Sequence, residues 1–532
     1  MLNQIYFEID NGEITKLYYG DSLIKYIQNN DIIISYEPIS QDINILSLLN
    51  AITIRTLDTE INVFVDHYSS IPLFYTEIGN KIIFSNIFNL VANKTSENII
   101  DDVGFWESYL YETPLLDRTL FKNIKVVQAG HFLNITQDKT IQKQYFYFNY
   151  QRSRDIDYNE EGYNCLLKNI KFNAENRKII FPLSGGVDSR LLLGLFKKKH
   201  DNHFVEAVTY GYEKSSLEFK YAKKLLKYLD INCQNHEFHK LDADSYTSDL
   251  DYMAEITGGL IGAQNSHLLG YLMKAKRSKD TLCISGFFAD SIFGYASIIT
   301  EKNNIKNSKY YTLACKYYKE GIINDEIFKG IEDDMNILHK QWTEKSNLES
   351  FTEFLYIKER TTKFHMQLYN LYRTIVDVQM PFFQENIIDC LMSYPSDIKN
   401  NKKIIFDILD NHFPEIKSIN NISSSGRFGS GKGQGMTKLN YYSYLFLTAI
   451  TRTLNSKLGI PIKINNPYDT ENQDYIFLKN YQNIFLKKLN YLQSTTLFDS
   501  GQKIVLSKRF DGMRNFQLIT NATLFKKYIN KH

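Results

Sequence analysis

Leu183-Ser184-Gly185-Gly186-Val187-Asp188-Ser189 stands between a β-branched and aromatic run, Ile179 to Phe181, and an apolar stripe of Leu191, Leu192, Leu193 and Leu195. Strand, turn and helix in that order put a glycine-rich bend at a helix N-terminus, where backbone amides and the helix dipole favour anions. Gly185 and Gly186 carry no Cβ, so the backbone can turn sharply and approach a polyphosphate, with the Ser184 and Ser189 hydroxyls as further donors. Asp188 would repel phosphate directly. Its chemistry there is to hold a magnesium ion that bridges to the phosphates. The Walker spacing is absent and no lysine follows the glycines. The bland alternative is a chance Gly-Gly turn with a capping serine or aspartate. Pro182 fits a central strand only at its exit.

The elements that must hold this loop follow from periodicity. After it, 203–210 and 232–238 read as strands with an amphipathic helix, 218–229, between them, which predicts a doubly wound α/β unit from about residue 151. In such sheets ligands lie across the carboxyl ends of the strands, so Val208 and Thr209, ending the second strand, are expected beside the base or ribose. Residues 1–150 instead carry short alternating runs at 4–9, 32–36, 51–57, 61–65, 73–77, 81–85 and 130–135, which predict a β-rich layered domain. A strand at 281–285, Lys-rich helices over 296–350 and long helices over 348–376 complete the coarse reading, with a helical tail from 437 to 532.

Composition bounds the partners. A chain of 532 residues predicts two or three domains, and 62 basic against 60 acidic residues gives no global call for nucleic acid or an anionic membrane. The 38 tyrosines and 35 phenylalanines are read as core and rim, not as a stacking surface. Five dispersed cysteines without C-x-x-C spacing point to neither a disulfide framework nor a zinc site. With no signal peptide and no window of eighteen apolar residues, the expectation is a cytoplasmic protein that neither crosses nor binds a membrane.

The pattern S-G-G-x-D-S resembles the pyrophosphate loop of the ATP pyrophosphatases, which cut ATP between the α and β phosphates and pass AMP to a substrate. Residues 63–86, VFVDHYSSIPLFYTEIGNKIIFSN, and 119–135, TLFKNIKVVQAGHFLNI, are similar to two segments of the glutaminase domain of asparagine synthetases. SGFFADSIFGY, 285–295, resembles that family's S-G-E-G-x-D-E-L-F-G-G-Y, and 377–395 resembles its E-x-R-x-P-F-L-D segment. In this order the chain resembles the asparagine synthetase family: a degenerate glutaminase-like domain of the N-terminal nucleophile type at 1–150, then an ATP pyrophosphatase ligase domain at 151–532. The helices of 296–350 read as an insertion.

The resemblance assigns residues and raises departures. Gly286 falls at the nucleotide site and Asp290 matches a second metal-binding carboxylate, so that Asp188 and Asp290 would share magnesium while pyrophosphate leaves. Asp377 takes the place of a family glutamate. Catalysis and a cap or surface charge both remain open for it, while Gln379 and Gln384 replace Arg and Asp. Phe287 replaces the family's Glu, or the Tyr of β-lactam synthetases. In the glycine-rich stretch 420–436 the family carries a mobile loop with an active-site lysine, which singles out Lys432, with Arg427 in reserve; a flexible linker is the other reading. Glutamine-dependent members expose a cysteine after Met1, whose thiolate attacks glutamine; here position 2 is Leu2. β-Lactam synthetases and lasso peptide cyclases share that loss and join an amine already on the substrate.

What this implies is an ATP- and magnesium-dependent ligase that adenylates a carboxylate and couples it to an amine. A peptide macrolactam or a related natural-product ligation is preferred, with a precursor peptide and its maturation partner as candidate partners. Ammonia-dependent asparagine synthesis and a non-catalytic partner that keeps the fold are the alternatives.

Overall fold

The computed structural model describes residues 3–28, 30–39, 47–150, 157–201, 203–211, 214, 216–240, 243–263, 267–274, 280–294, 309–399, 402–416, 419, 446, 450, 453 and 512–529. Leu2, Arg427 and Lys432 lie outside them.

The N-terminal part is built from β1 (Ile5–Asp10), β2 (Glu13–Tyr19), β3 (Ile24–Gln28), β4 (Asp31–Ser35), β5 (Ala51–Thr56), β6 (Ile61–Val65), β7 (Phe74–Ile78), β8 (Lys81–Ser85), β9 (Lys125–Val126), β10 (His131–Ile135) and β11 (Thr140–Gln144). They form two antiparallel sheets, ordered β2-β1-β8-β7-β9 and β11-β10-β6-β5-β4-β3. The inward faces share one core: Ile5, Phe7 and Phe84 from the first sheet, with Ile52, Ile54, Val63 and Leu133 from the second. Phe7 and Phe84 face each other across β1 and β8 with ring centroids 4.5 Å apart. The apolar runs predict β6 and β8 with their observed bounds. The pattern misses β2, β3, β9 and β11, and topology explains why: these are the four outermost strands of the two sheets; β2, β3 and β11 are largely exposed and carry charged or polar residues in place of apolar alternation, and β9 is only two residues long.

The second sheet system is wholly parallel: β12 (Lys178–Pro182), β13 (Val205–Gly211), β14 (Cys233–Lys240), β15 (Thr281–Ile284) and β16 (Asp377–Gln379), in the order β14-β13-β12-β15-β16. The expected doubly wound unit is present. Its direction of winding reverses between β12 and β15, so the loops leaving these two strands splay apart and open a crevice at the carboxyl edge. β12 and β15 are buried on both faces, which accounts for their unbroken apolar character.

The helix Val187–Lys199 leaves the β12 loop and packs its Gly194 against Phe413, which ends the helix Lys403–His412. A Cβ at Gly194 would come within 2.6 Å of the buried Phe413 ring. Gly194→Ala is therefore expected to lower stability by about 1–3 kcal/mol despite alanine's better helix propensity, read as a lower urea midpoint. A higher midpoint would mean that the two helices are not in close contact.

Three further features bear on the site. The helices expected over 348–376 differ in kind: between Phe351–Leu355 and Met366–Arg373 the chain takes ten residues of π-helix, Tyr356–His365. Within the span read as Lys-rich helices, Lys309–Lys319 and Asp325–Lys345 are described, and Arg118 of the N-terminal part reaches Asp334 on the second. The two halves are also joined by a buried amide cluster in which Asn370 accepts from Asn3 at 3.0 Å and from Asn86 at 2.9 Å. No described helix is long and apolar enough to cross a membrane.

Candidate active site

The crevice brings the two predicted carboxylates together. Asp188 lies in the first turn of Val187–Lys199, where the helix dipole favours an anion, and Asp290 lies in the first turn of Ala289–Phe293 after β15. Between them stands a residue that sequence reasoning missed. Lys402 Nζ lies 2.5 Å from Asp188 Oδ2 and contacts Asp290 Oδ1. Lys402 precedes the helix Lys403–His412 in a left-handed conformation, φ 58°, which aims its side chain back into the crevice. An Asn-Asn-Lys-Lys context carries no spacing signal that could have singled it out.

The electrostatics are those of two like charges sharing one counter-ion. Burial pushes the Asp188 carboxyl up and the neighbouring Asp290 adds to that, with Lys402 opposing both. Burial acts on Asp290 in the same sense, but the Lys402 ammonium overrides it, with help from Arg360, and holds this carboxyl below its ordinary value. Burial disfavours the charge on Lys402, yet the two carboxylates keep its pKa above the usual lysine value. The side chains of Asp188 and Asp290 are 26% and 38% exposed, so a ligand can reach them from the crevice.

The glycine loop is held from within. The Gly185 amide donates to the Glu218 carboxylate, and the Gly185 carbonyl accepts from Arg190 at 2.8 Å. Arg190 is 4% exposed and also donates to the Ile419 carbonyl at 2.7 Å. The Gly186 amide donates to Ser184 Oγ at 3.1 Å, and Ser184 Oγ meets Ser189 Oγ at 3.1 Å. Both glycine amides expected to face a polyphosphate are thus engaged inside the protein, one of them by an anion. A phosphate oxygen would occupy the same kind of contact that Glu218 makes. Sequence reading missed Glu218 because an acidic residue in the first turn of a helix is accounted for by the helix dipole alone. Its carboxyl is pushed up by burial, with Gly185 and Arg190 opposing.

The other expected residues fall as follows. Leu183 donates its amide to the Val208 carbonyl at 2.8 Å, and Thr209 Oγ1 donates to the Leu183 carbonyl at 2.7 Å, so Leu183, just past β12, adjoins Val208 and Thr209; these two do not end β13 as expected but lie in its middle, since the strand runs on to Gly211. Gly286 lies against Asp188: a Cβ there would sit 3.9 Å from that of Asp188. Phe287 stacks on Tyr372, ring centroids 5.8 Å apart. Phe288 holds a positive φ of 75° and is packed by Phe383 and by Tyr68 of the N-terminal part, so that domain helps fix the loop carrying Asp290.

Asp377 is not brought to this group. It opens β16, paired in register with Leu282 at the amino side of the sheet, and its carboxylate takes Arg177 at 2.8 Å. The charge there serves an ion pair beneath the crevice, so the role open to it is the structural one. Lys432 lies outside the described residues. None of the five cysteines is in a disulfide, and no group of three metal-ligating side chains occurs among the described residues.

Two family models match this chain in the order the fold displays: a glutamine amidotransferase domain over residues 50–146 and an asparagine synthase domain over 175–415. Among solved structures, an NH3-dependent NAD synthetase from Campylobacter jejuni, determined with a nitrate ion, aligns at 15% identity over 36% of this chain and 100% of its own, with a TM-score of 0.19. That likeness fixes no geometry. With a glutaminase-type sandwich followed by a parallel-sheet ligase domain whose crevice gathers Asp188, Asp290 and Gly286, the chain belongs to the asparagine synthetase family, a family of ATP-using amide ligases.

Proposed function

We propose that the protein adenylates a substrate carboxylate with ATP and joins it to a substrate amine, releasing AMP and pyrophosphate. The convergence of Asp188 and Asp290 on one cation at the carboxyl edge between β12 and β15 carries this reading. The donors present fit magnesium. They are the hard oxygens of two carboxylates, and Asp188 Oδ1 is buried without a hydrogen-bond partner among the described residues. Magnesium typically takes one or two protein carboxylates and completes its shell with phosphates and water. When bound it would offset the charge that develops on pyrophosphate as it departs.

The chain's own residues supply the rest. The Ser184 and Ser189 hydroxyls and the first turn of Val187–Lys199 receive phosphate oxygens. Leu183, Val208 and Thr209 receive the nucleoside. Lys402, which now neutralises the two carboxylates, would be free to give its charge to the phosphates if magnesium took its place. For the amide-forming step the proposal keeps Lys432 as the cation that stabilises the attacked carbonyl, on the strength of its place in the sequence alone.

With Leu2 in place of a cysteine nucleophile, the amine comes from the substrate, which favours macrolactam closure on a precursor peptide or a related natural-product ligation. Phe287, packed on Tyr372, puts an apolar ring where the family has a polar side chain, which disfavours asparagine synthesis from ammonia. The test supplies magnesium, ATP and short peptides encoded beside the gene, and follows pyrophosphate together with the loss of one water from the peptide mass. Dehydrated peptide with stoichiometric pyrophosphate is expected. Glutamine is expected neither to raise turnover nor to yield glutamate; glutamate formed by a clean preparation would overturn the assignment of the N-terminal domain. Ammonia-stimulated turnover with aspartate would instead establish the asparagine reading, and failure to bind magnesium and ATP would establish a non-catalytic role.

A further inference from the structure

The π-helix Tyr356–His365 lies against the element that carries Asp290. Ser291 and Thr361 share a hydroxyl hydrogen bond of 2.8 Å, and each directly follows a charged residue, Asp290 and Arg360. Long π-helical runs are rare and are found at functional sites. Here the five-residue repeat places Arg360 and His365 one turn apart: Arg360 Nη1 lies 2.9 Å from His365 Nε2. Arg360 is itself fixed by Glu112 of the N-terminal part, whose Oε2 lies 3.0 Å from both Nε and Nη2.

A guanidinium can only donate, so His365 Nε2 accepts, and the ring proton must sit on Nδ1. That nitrogen is shielded from solvent and has no hydrogen-bond partner among the described residues. Burial, then the Arg360 charge, pushes the imidazole down to about 3, in keeping with a neutral ring. A buried donor left without an acceptor is destabilising, and the ring that carries this one lies close enough to the Asp290 carboxylate to feel its charge. Such a donor is satisfied when a ligand oxygen arrives.

We propose that His365 Nδ1–H donates a hydrogen bond to a phosphate oxygen of ATP held at Asp290, its tautomer set by Arg360 and Arg360 in turn set by Glu112. This rests on the ligase reading above and adds to it a contact contributed by the π-helix. It also gives the N-terminal domain a part in nucleotide binding that needs no glutaminase chemistry.

The test uses the full chain labelled with 15N-histidine and magnesium–ATP, magnesium–pyrophosphate and AMP as probes. In the free protein the His365 signal, identified by its loss in His365→Asn, is expected to show the Nδ1–H tautomer. Its proton should move downfield with at least one probe, and the probe that moves it tells which phosphate accepts. In calorimetry His365→Asn, whose amide nitrogen takes the place of Nδ1, should bind magnesium–ATP within about threefold of wild type. His365→Gln, whose amide reaches the place of Nε2, should lose about tenfold or more. An Nε2–H tautomer, a signal silent to all three probes, or equal affinities for the two variants would overturn the assignment. Wild-type protein that binds no magnesium–ATP would sink the ligase reading itself, whereas wild-type binding with a silent His365 signal sinks this contact alone.

Discussion

Asp290→Asn is expected to slow magnesium-dependent pyrophosphate release by about a thousandfold, and Asp188→Asn by a comparable factor. Each substitution keeps the shape of the side chain and removes one charge from a site where phosphate charge grows as the bond breaks. Losing one preorganised electrostatic contact of that kind typically costs about 10²–10³ in rate, or roughly 3–4 kcal/mol. Asp290 should be the more sensitive, because its carboxyl is held in the charged form by Lys402 and Arg360, whereas burial and Asp290 already work against the charge on Asp188. Raising magnesium should recover part of the Asp188→Asn loss. Stopped-flow measurement of pyrophosphate decides the matter, and either variant running within tenfold of wild type would remove the carboxylate pair from the chemistry.

Lys402→Met should separate two quantities that usually move together. The ammonium now holds two mutually repelling carboxylates and stands where a divalent cation would bind. Without it magnesium has no competitor, and its affinity, measured by calorimetry in the absence of nucleotide, is expected to rise about tenfold. Pyrophosphate release should nevertheless fall by about a hundredfold, because the phosphates lose a positive contact in the transition state. Tighter magnesium with slower chemistry is the signature. Magnesium affinity and rate falling together would reduce Lys402 to a structural bridge.

Much of this site is legible in the sequence because it depends on local geometry. A strand, a glycine bend and a helix within a dozen residues fix where Asp188 must lie, and a second strand end does the same for Gly286 and Asp290. Residues whose role depends on tertiary approach leave no such trace. Lys402 works through a left-handed residue that opens a different helix, and Glu218 sits in the first turn of its helix, where the dipole accounts for it without reference to the loop it actually meets. The π-helix is invisible to periods of 2 and 3.6, so Arg360 and His365 pass as members of an ordinary amphipathic helix. For Asp377 the residue type was readable but the end of a three-residue strand on which it falls was not, and that end decides between catalysis and an ion pair with Arg177.

The amide cluster joining Asn3, Asn86 and Asn370 has a consequence for how the molecule is made. Its partners lie up to 367 residues apart. At about 5–20 residues per second, a ribosome needs on the order of 20–70 s to pass from the first to the last of them. Throughout that interval the first-made sandwich has its strands but not the partner that covers this face. Asn3 and Asn86 must wait hydrated on the nascent chain, and the two halves close on each other only after the helix bearing Asn370 has cleared the exit tunnel. Final assembly is thereby timed by translation, late and as a docking event between two parts that have each begun to fold.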